Sequence, residues 1–429
     1  MTFLESAAPA LVAAHNSNGA LAAIRDLGSA GIAVLSPRPP LTSPVRFSRF
    51  ITTTIRPFPD GRSGRRQLAW LLRAGRDHPG TVLIPAMDDL TAVIAHNQDV
   101  LKPYFHLYYP PGAALNAVLN KESLHLAAQA AGIATPAAWF PGSGAEAATL
   151  APELPYPVVL KPRTHVGKNS WFKGRLVTGP SDFVADCRRA AALLESGVVA
   201  GEARPGDLLP FVQAYTPGAA SRIYNLSGFL DHTGLLTGFS ASRKVFQTPR
   251  RFGVGVCFEA APVNVELAAQ LTTMLRSMGF FGMFEAEFIE AAGSLLLIDV
   301  NPRVFNGLSF TTQRGLRLPL IWYLAAIGDW AGVEEQLATA RRSQAAGGGP
   351  DAWCHRFVLE TMVASRVLTG RMGLSEARKW WGWVRRDKRR TLEASWEQSD
   401  PWPGRLNGLQ HVIRFARDPR DFIGSIVRD

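Results

Sequence analysis

Cysteine is scarce. Cys187, Cys257 and Cys354 are the three in 429 residues, and they stand far apart. An odd, scattered set supplies neither a disulfide framework nor a zinc-ligand spacing, and it points to a reducing compartment, the cytoplasm. Long apolar runs are also missing. Those such as 318–328 reach about half of the roughly 20 residues a spanning helix needs, so no transmembrane segment is expected. The first sixteen residues, MTFLESAAPALVAAHN, carry Glu5 and no Lys or Arg ahead of their apolar part, which does not read as a secretory signal. No internal repeat is visible, and the 39 glycines and 30 prolines follow no triplet period, which excludes a collagen-like chain.

What is present is an ordinary globular composition. Apolar residues make up 47% and charged residues 19%, too apolar for a disordered chain. The length suggests two or three domains. Lys and Arg number 46 against 35 Asp and Glu, a net charge of +11 spread along the chain. No nucleic-acid-reading module accompanies that surplus, so a small anionic ligand such as a nucleotide is the better match and no nucleic-acid partner is expected.

Along the chain, residues 9–35 read as strand, turn, helix, strand. Thr81-Val-Leu-Ile-Pro85 is another short strand, Asp88 and Asp89 precede a helix at 90–101, and Phe105–Tyr109 closes the region. This predicts a small parallel-sheet domain over the first ~115 residues. Its first βα turn holds Gly19 alone and lacks G-x-G-x-x-G, a poor dinucleotide fingerprint. Further on, 122–131 reads as a helix, Pro157-Val-Val-Leu-Lys161 as a buried strand delivering a lysine, 164–174 as a polar, cationic loop, 208–215 as a strand, and 228–243 as a hairpin. After an Ala/Gly linker at 343–350, the remainder reads as helices with many tryptophans.

The densest chemistry lies in a hairpin turned at Ala292-Gly293-Ser294. Strand side chains alternate, so Glu285 and Glu287 share one face and Asp299 and Asn301 share another across the turn, with Ile298 and Val300 opposite. Glu287, Asp299 and Asn301 converge as hard oxygen ligands suited to Mg2+ beside phosphate, and Arg303 follows on the same side. Apolar neighbours such as Leu295-Leu-Leu-Ile298 mark a core hairpin, where unpaired carboxylates would be costly without a metal or cation.

Four segments occur in order: Asn120-Lys121-Glu-Ser123 with Gly132-Ile-Ala-Thr-Pro136, the Lys161 strand, Phe211-Val-Gln-Ala-Tyr-Thr-Pro-Gly218, and Phe284-Glu-Ala-Glu-Phe288 followed by Leu297-Ile-Asp-Val-Asn-Pro-Arg303. Together they resemble the ATP-grasp superfamily, which includes biotin carboxylase, carbamoyl-phosphate synthetase and D-aspartate ligase-like enzymes, over about residues 115–328. The resemblance implies an α/β chain with a Rossmann-like pre-ATP-grasp domain (1–118), an ATP-grasp domain (119–328, with a small subdomain at 119–212 and a large one at 213–328) and a C-terminal helical, Trp- and Arg-rich extension (329–429). It also implies roles. Lys161 and Lys121 would contact ATP phosphates, with Lys168 in the covering loop. Gln213, Ala214 and Tyr215 would form the adenine hinge. Glu287, Asp299 and Asn301 would hold one or two Mg2+ ions, with Mn2+ as a substitute, and Arg303 would steady the reacting anion. Asp299 and Gln213 stand where the superfamily often has Glu, and the covering loop is poorer in glycine than in biotin carboxylase.

The implied activity is an ATP- and Mg-dependent carboxylate–amine ligase that works through an acyl phosphate. A kinase-like phosphotransferase or a nucleotide-binding protein without turnover on the same fold are the alternatives. The substrates would be a small-molecule carboxylate and an amine. Arg243 and Lys244, in the cationic stretch Ser240–Gly255, resemble the acid-binding segment of carboxylate–amine ligases and would hold the substrate carboxylate. In the tail, Trp380-Trp381-Gly-Trp383 followed by five cations within 384–390 suggests either packing on the ligase domain or a peripheral contact with an anionic membrane.

Overall fold

The computed structural model describes residues 8–13, 18–41, 43–59, 63–164, 166, 174–195 (side chains to 190), 209–385 and 390–408. Lys168 and Lys173 of the polar loop and the basic stretch 386–389 lie outside the described residues.

Three sheets organise these residues. The first carries β1 (Ala10–Ala13), β2 (Val34–Pro37), β3 (Thr53–Ile55), β4 (Thr81–Pro85) and β5 (Phe105–His106) in the order β3-β2-β1-β4-β5, with every pair parallel. β1 and β4 are buried throughout, as a sheet covered by helices on both faces requires. The strand order reverses between β1 and β4, and such a switch point opens a crevice at the strands' carboxyl ends. Asp88 sits just beyond β4, at that crevice. The expected helix 90–101 is two, Asp88–His96 and Gln98–Leu101, broken at Asn97.

The second sheet is small and antiparallel: β6 (Ala138–Trp139), β7 (Val158–Lys161), β8 (Arg175–Val177) and β9 (Phe211–Ala214), ordered β6-β9-β7-β8. Val158, Leu160 and Val212 pack on one face with Phe183 and Cys187 of helix Pro180–Glu195. Alternation therefore sends Lys161 and Gln213 to the other face.

The third sheet holds β10 (Ile223–Leu230), β11 (Thr237–Thr248), β12 (Val254–Ala261), β13 (Gly282–Ala291), β14 (Ser294–Asn301), β15 (Ala352–Cys354) and β16 (Thr391–Glu393), in the order β14-β13-β10-β11-β12-β15-β16. Helices Lys121–Ala130 and Val265–Ser277 cover one face through Leu226, Phe284, Ala286, Phe288 and Val300. The opposite face of β10, β11, β13 and β14 carries polar groups.

The C-terminal extension differs from a purely helical one. β15 pairs antiparallel with β12 and β16 pairs parallel with β15, so the extension widens the central sheet. Helices Arg356–Leu368 and Leu374–Val384 lay Met362, Val363, Trp380 and Trp383 onto Phe246 and Cys257. The chain then returns to the first domain, where buried Arg25 donates to Asp400 Oδ2 at 3.0 Å and to the Ser395 carbonyl at 2.9 Å. Among the described residues, no helix is long and apolar enough to cross a membrane.

Candidate active site

The polar face is built by register. Asn301 stands opposite Glu285 and Asp299 opposite Glu287, as the hairpin alternation predicts. The rows continue inward: Glu285 meets Ser227, which meets Ser240, and Glu287 meets Asn225, which meets Ser242. Lys244, two residues beyond Ser242 on β11, joins the same face, and its Nζ lies 2.9 Å from Glu287 Oε2. A bulge sits between the Glu287–Asp299 and Phe288–Leu297 pairs, so Ile298 has no cross-strand partner, whereas simple alternation grouped it with Val300.

Other elements supply the remaining charges. Lys121 opens a helix capped by Asn120, whose side chain accepts from the amides of Glu122 and Ser123. A cation at that position opposes the helix dipole, and Lys121 is paired with Asp299. Lys161 arrives from the small sheet and donates to Gln213 Oε1 at 2.9 Å. Arg303 grips Asp88 in a two-pronged pair, at 2.6 Å and 3.0 Å, and donates to Asn301 Oδ1 at 3.2 Å. That grip seats the end of β14 on the switch-point crevice. Gly19 of the first helix approaches there so closely that a Cβ would lie 2.2 Å from the Phe305 carbonyl oxygen.

Burial and neighbouring charges shift three of these groups. Burial lowers the Lys161 ammonium to about 8, with the charges of Lys121 and Lys244 adding to the effect and those of Asp299 and Glu287 opposing it. Glu285 is pushed up to about 8, first by burial and then by Glu287, against Lys244, a hydrogen bond from Asn225, and Arg303. Burial also works against the Arg303 charge, but Asp88, Asp299 and Glu285 outweigh it.

Several expected residues take other places. Arg243 does not join the cluster: it follows the opposite face of β11 and pairs with Glu290 at 3.2 Å, both side chains well exposed. Adjacent strand residues point to opposite sides, so Arg243 and Lys244 cannot both face the site. The Gln213 side chain is buried, accepts from Lys161 through its Oε1 and borders the cleft beside Lys121. The Ala214 amide already donates to the Ala137 carbonyl at 2.8 Å, so a hinge reading a base through a free amide must begin at Tyr215, just beyond β9. Asp88, Asn225 and Glu285 were absent from the expected site. Period-two alternation already put Glu285 on the face of Glu287, although it was not counted among the expected ligands. Asp88 lies 215 residues from Arg303, and no local pattern joins them.

Beside Lys121 and Gln213 an apolar cleft opens between the small sheet and the β14 edge, lined by Leu124, Pro136, Phe140, Phe211, Leu297 and Ile298. Phe140 and Phe211 stack at 5.2 Å with their planes 11° apart.

Comparison with solved structures agrees with this architecture. The biotin carboxylase domain of Hydrogenobacter thermophilus 2-oxoglutarate carboxylase, solved with MgADP, ADP and bicarbonate, superposes with a TM-score of 0.56 at 15% identity, covering 76% of this chain and 70% of that one. N5-carboxyaminoimidazole synthetase from Staphylococcus aureus gives 0.53 at 13% identity, with 76% and 80% covered. L-amino acid ligase from Bacillus licheniformis gives 0.54 at 13%, with 76% and 77% covered. The chain has the ATP-grasp fold. No protein-family model and no curated protein sequence matches it. Within the ATP-grasp fold, the charged cluster occupies the space between the small sheet and the polar face of the large one.

The donor set suits a divalent ion. Glu287 and Asp299 face each other across β13 and β14 with the Asn301 amide beside them, and a lysine already neutralises each carboxylate. Among the described residues, no three carboxylate, imidazole or thiol groups gather as metal ligands. Phosphate oxygens would therefore have to complete the shell, as is usual for Mg2+ with a nucleotide.

Proposed function

We propose that the protein is an ATP- and Mg2+-dependent ligase that activates a carboxylate as an acyl phosphate for attack by an amine. The observation that carries this reading is the cross-strand pairing of Glu285 with Asn301 and Glu287 with Asp299, with Lys121, Lys161, Lys244 and Arg303 around it.

ATP and a carboxylate substrate are both anionic and repel, so catalysis on such a pair is mainly positioning and charge stabilisation. Lys161, whose hydrogen bond goes to a neutral amide, is placed to turn to a phosphate oxygen. Lys121 would take the same triphosphate from the cleft side, with the adenine against the apolar walls. Glu287, Asp299 and Asn301 would hold Mg2+, which when bound would offset phosphate charge. Lys244 binds the acceptor carboxylate, and Arg303, aimed by Asp88, steadies the anion at the crevice. The γ-phosphoryl passes from its ADP oxygen to the carboxylate oxygen. The amine nitrogen then attacks the acyl carbon, phosphate leaves with the carbon–oxygen bonding pair, and the amine gives up a proton.

ADP release measured across a panel of amino acids and sugar acids, with and without amines, tests the proposal. Free phosphate should appear only when both acid and amine are present. A phosphorylated product that persists would instead indicate a phosphotransferase. Lys161→Ala and Asn301→Ala should each lower turnover by about 10²–10³, the usual cost of one transition-state charge contact. Wild-type turnover in both variants rejects the assignment.

A further inference from the structure

The turn between β11 and β12 is held from beneath. Buried Gln247 donates its Nε2 to the carbonyls of Arg250 at 3.1 Å and Arg251 at 2.7 Å. On its other side Phe252 packs against Gly174, where an added Cβ would lie 2.9 Å from the ring. The Arg250 side chain turns back onto the C-terminal helices. Its guanidinium carbon lies 4.7 Å from the Phe246 ring centre and 5.9 Å from that of Trp380. Lys379 Nζ stands 5.9 Å from the same indole.

The guanidinium lies over the Phe246 ring, and a cation held in this way still has N–H groups to donate elsewhere. Arg250 Nη1 and Trp380 Nε1 are both buried and without a hydrogen-bond partner. Neither atom can accept, so they cannot satisfy each other. Burial lowers the Arg250 pKa and Arg366 lowers it further, while Glu376 and Cys257 oppose them, so the surroundings disfavour the cation on balance. Buried donors without a partner need an acceptor, and a charge-assisted bond to an anion is the strongest available.

We propose that Arg250 and Trp380 form an oxyanion site, for a carboxylate or phosphate group, between the β11–β12 turn and the C-terminal helices. It is separate from the charged cluster between the sheets and does not depend on the ligase reading.

Intrinsic tryptophan fluorescence of the full chain, titrated with inorganic phosphate and with malonate at matched ionic strength against chloride, tests this. A saturable change with phosphate alone assigns a phosphate, one with malonate alone a carboxylate, and one with both an oxyanion in general. Arg250→Gln should weaken the response at least tenfold. Trp380→Phe, which keeps the packing and removes the donor, should abolish the fluorescence change and weaken binding measured by calorimetry. Lys161→Ala should leave the response intact. No saturable response to either anion overturns the proposal, as does a response that survives Arg250→Gln and Trp380→Phe or is lost in Lys161→Ala.

Discussion

At the residue scale, neighbouring side chains on β11 have opposite surroundings. Lys244 is buried against Glu287, whereas Arg243 is half-exposed against Glu290 on the far face. An exposed ion pair contributes about 0–1 kcal/mol. Arg243→Ala should therefore leave stability within about 1 kcal/mol and turnover unchanged, while Lys244→Ala should lower turnover by about 10². Steady-state kinetics with urea denaturation separates the two, and equal losses would contradict the face assignment. Lys161 adds a pH dependence. Its ammonium titrates near 8 in the free protein, and phosphate binding favours the charged form. ATP affinity should be flat below pH 8 and fall above it, by up to about tenfold per pH unit, because binding must then take up a proton. Calorimetric ATP titrations from pH 7 to 9 check this, and Lys161→Arg should flatten the profile.

At the element scale, the hairpin of β13 and β14 follows from alternation and turn chemistry. Ala292 and Gly293 both take positive φ, 48° and 80°, as a two-residue hairpin turn with right-handed strand twist demands. The strands β15 and β16 have no such signal. Each is three residues long, too short for a period, and Cys354 finds its β12 partner Cys257 97 residues away. At the far edge, Glu393 on β16 is pushed up to about 7 by burial, against a hydrogen bond from the Arg356 amide and the Arg356 charge. Its folded pKa exceeds the ordinary 4.5, so between those values the folded state binds more protons than the unfolded one. Its contribution should therefore be full below about 4.5 and be lost as pH rises through 7. Glu393→Gln should remove that slope from denaturation midpoints measured between pH 5 and 8.

At the scale of the whole molecule, the C-terminal extension is a brace. Trp353, Trp380 and Trp383 point inward, so they are not available as membrane-interface anchors, while Trp396 and Trp402 are about half-exposed. The last described segment closes the molecule onto its first domain. Asp400, fully buried, accepts from Arg25 Nε, Ser48 Oγ at 2.7 Å and the Arg49 amide at 2.9 Å. Asp400→Ala would leave the Arg25 charge buried without its partner and should cost about 3–5 kcal/mol. Urea denaturation measures this, and a loss below about 1 kcal/mol would mean that the clasp contributes little.

The sequence by itself determined what depends on neighbours within a few residues. Period-two alternation placed Glu287, Asp299 and Asn301 on facing strands, and short apolar runs marked β4 and β7. Tertiary structure alone decided which face of β11 meets the site, that Asp88 aims Arg303, that Gln213 holds a lysine, and that the tail returns to Arg25. Those pairings join residues separated by up to 375 positions, and their energies arise from burial and mutual charge, which exist only once the chain has folded.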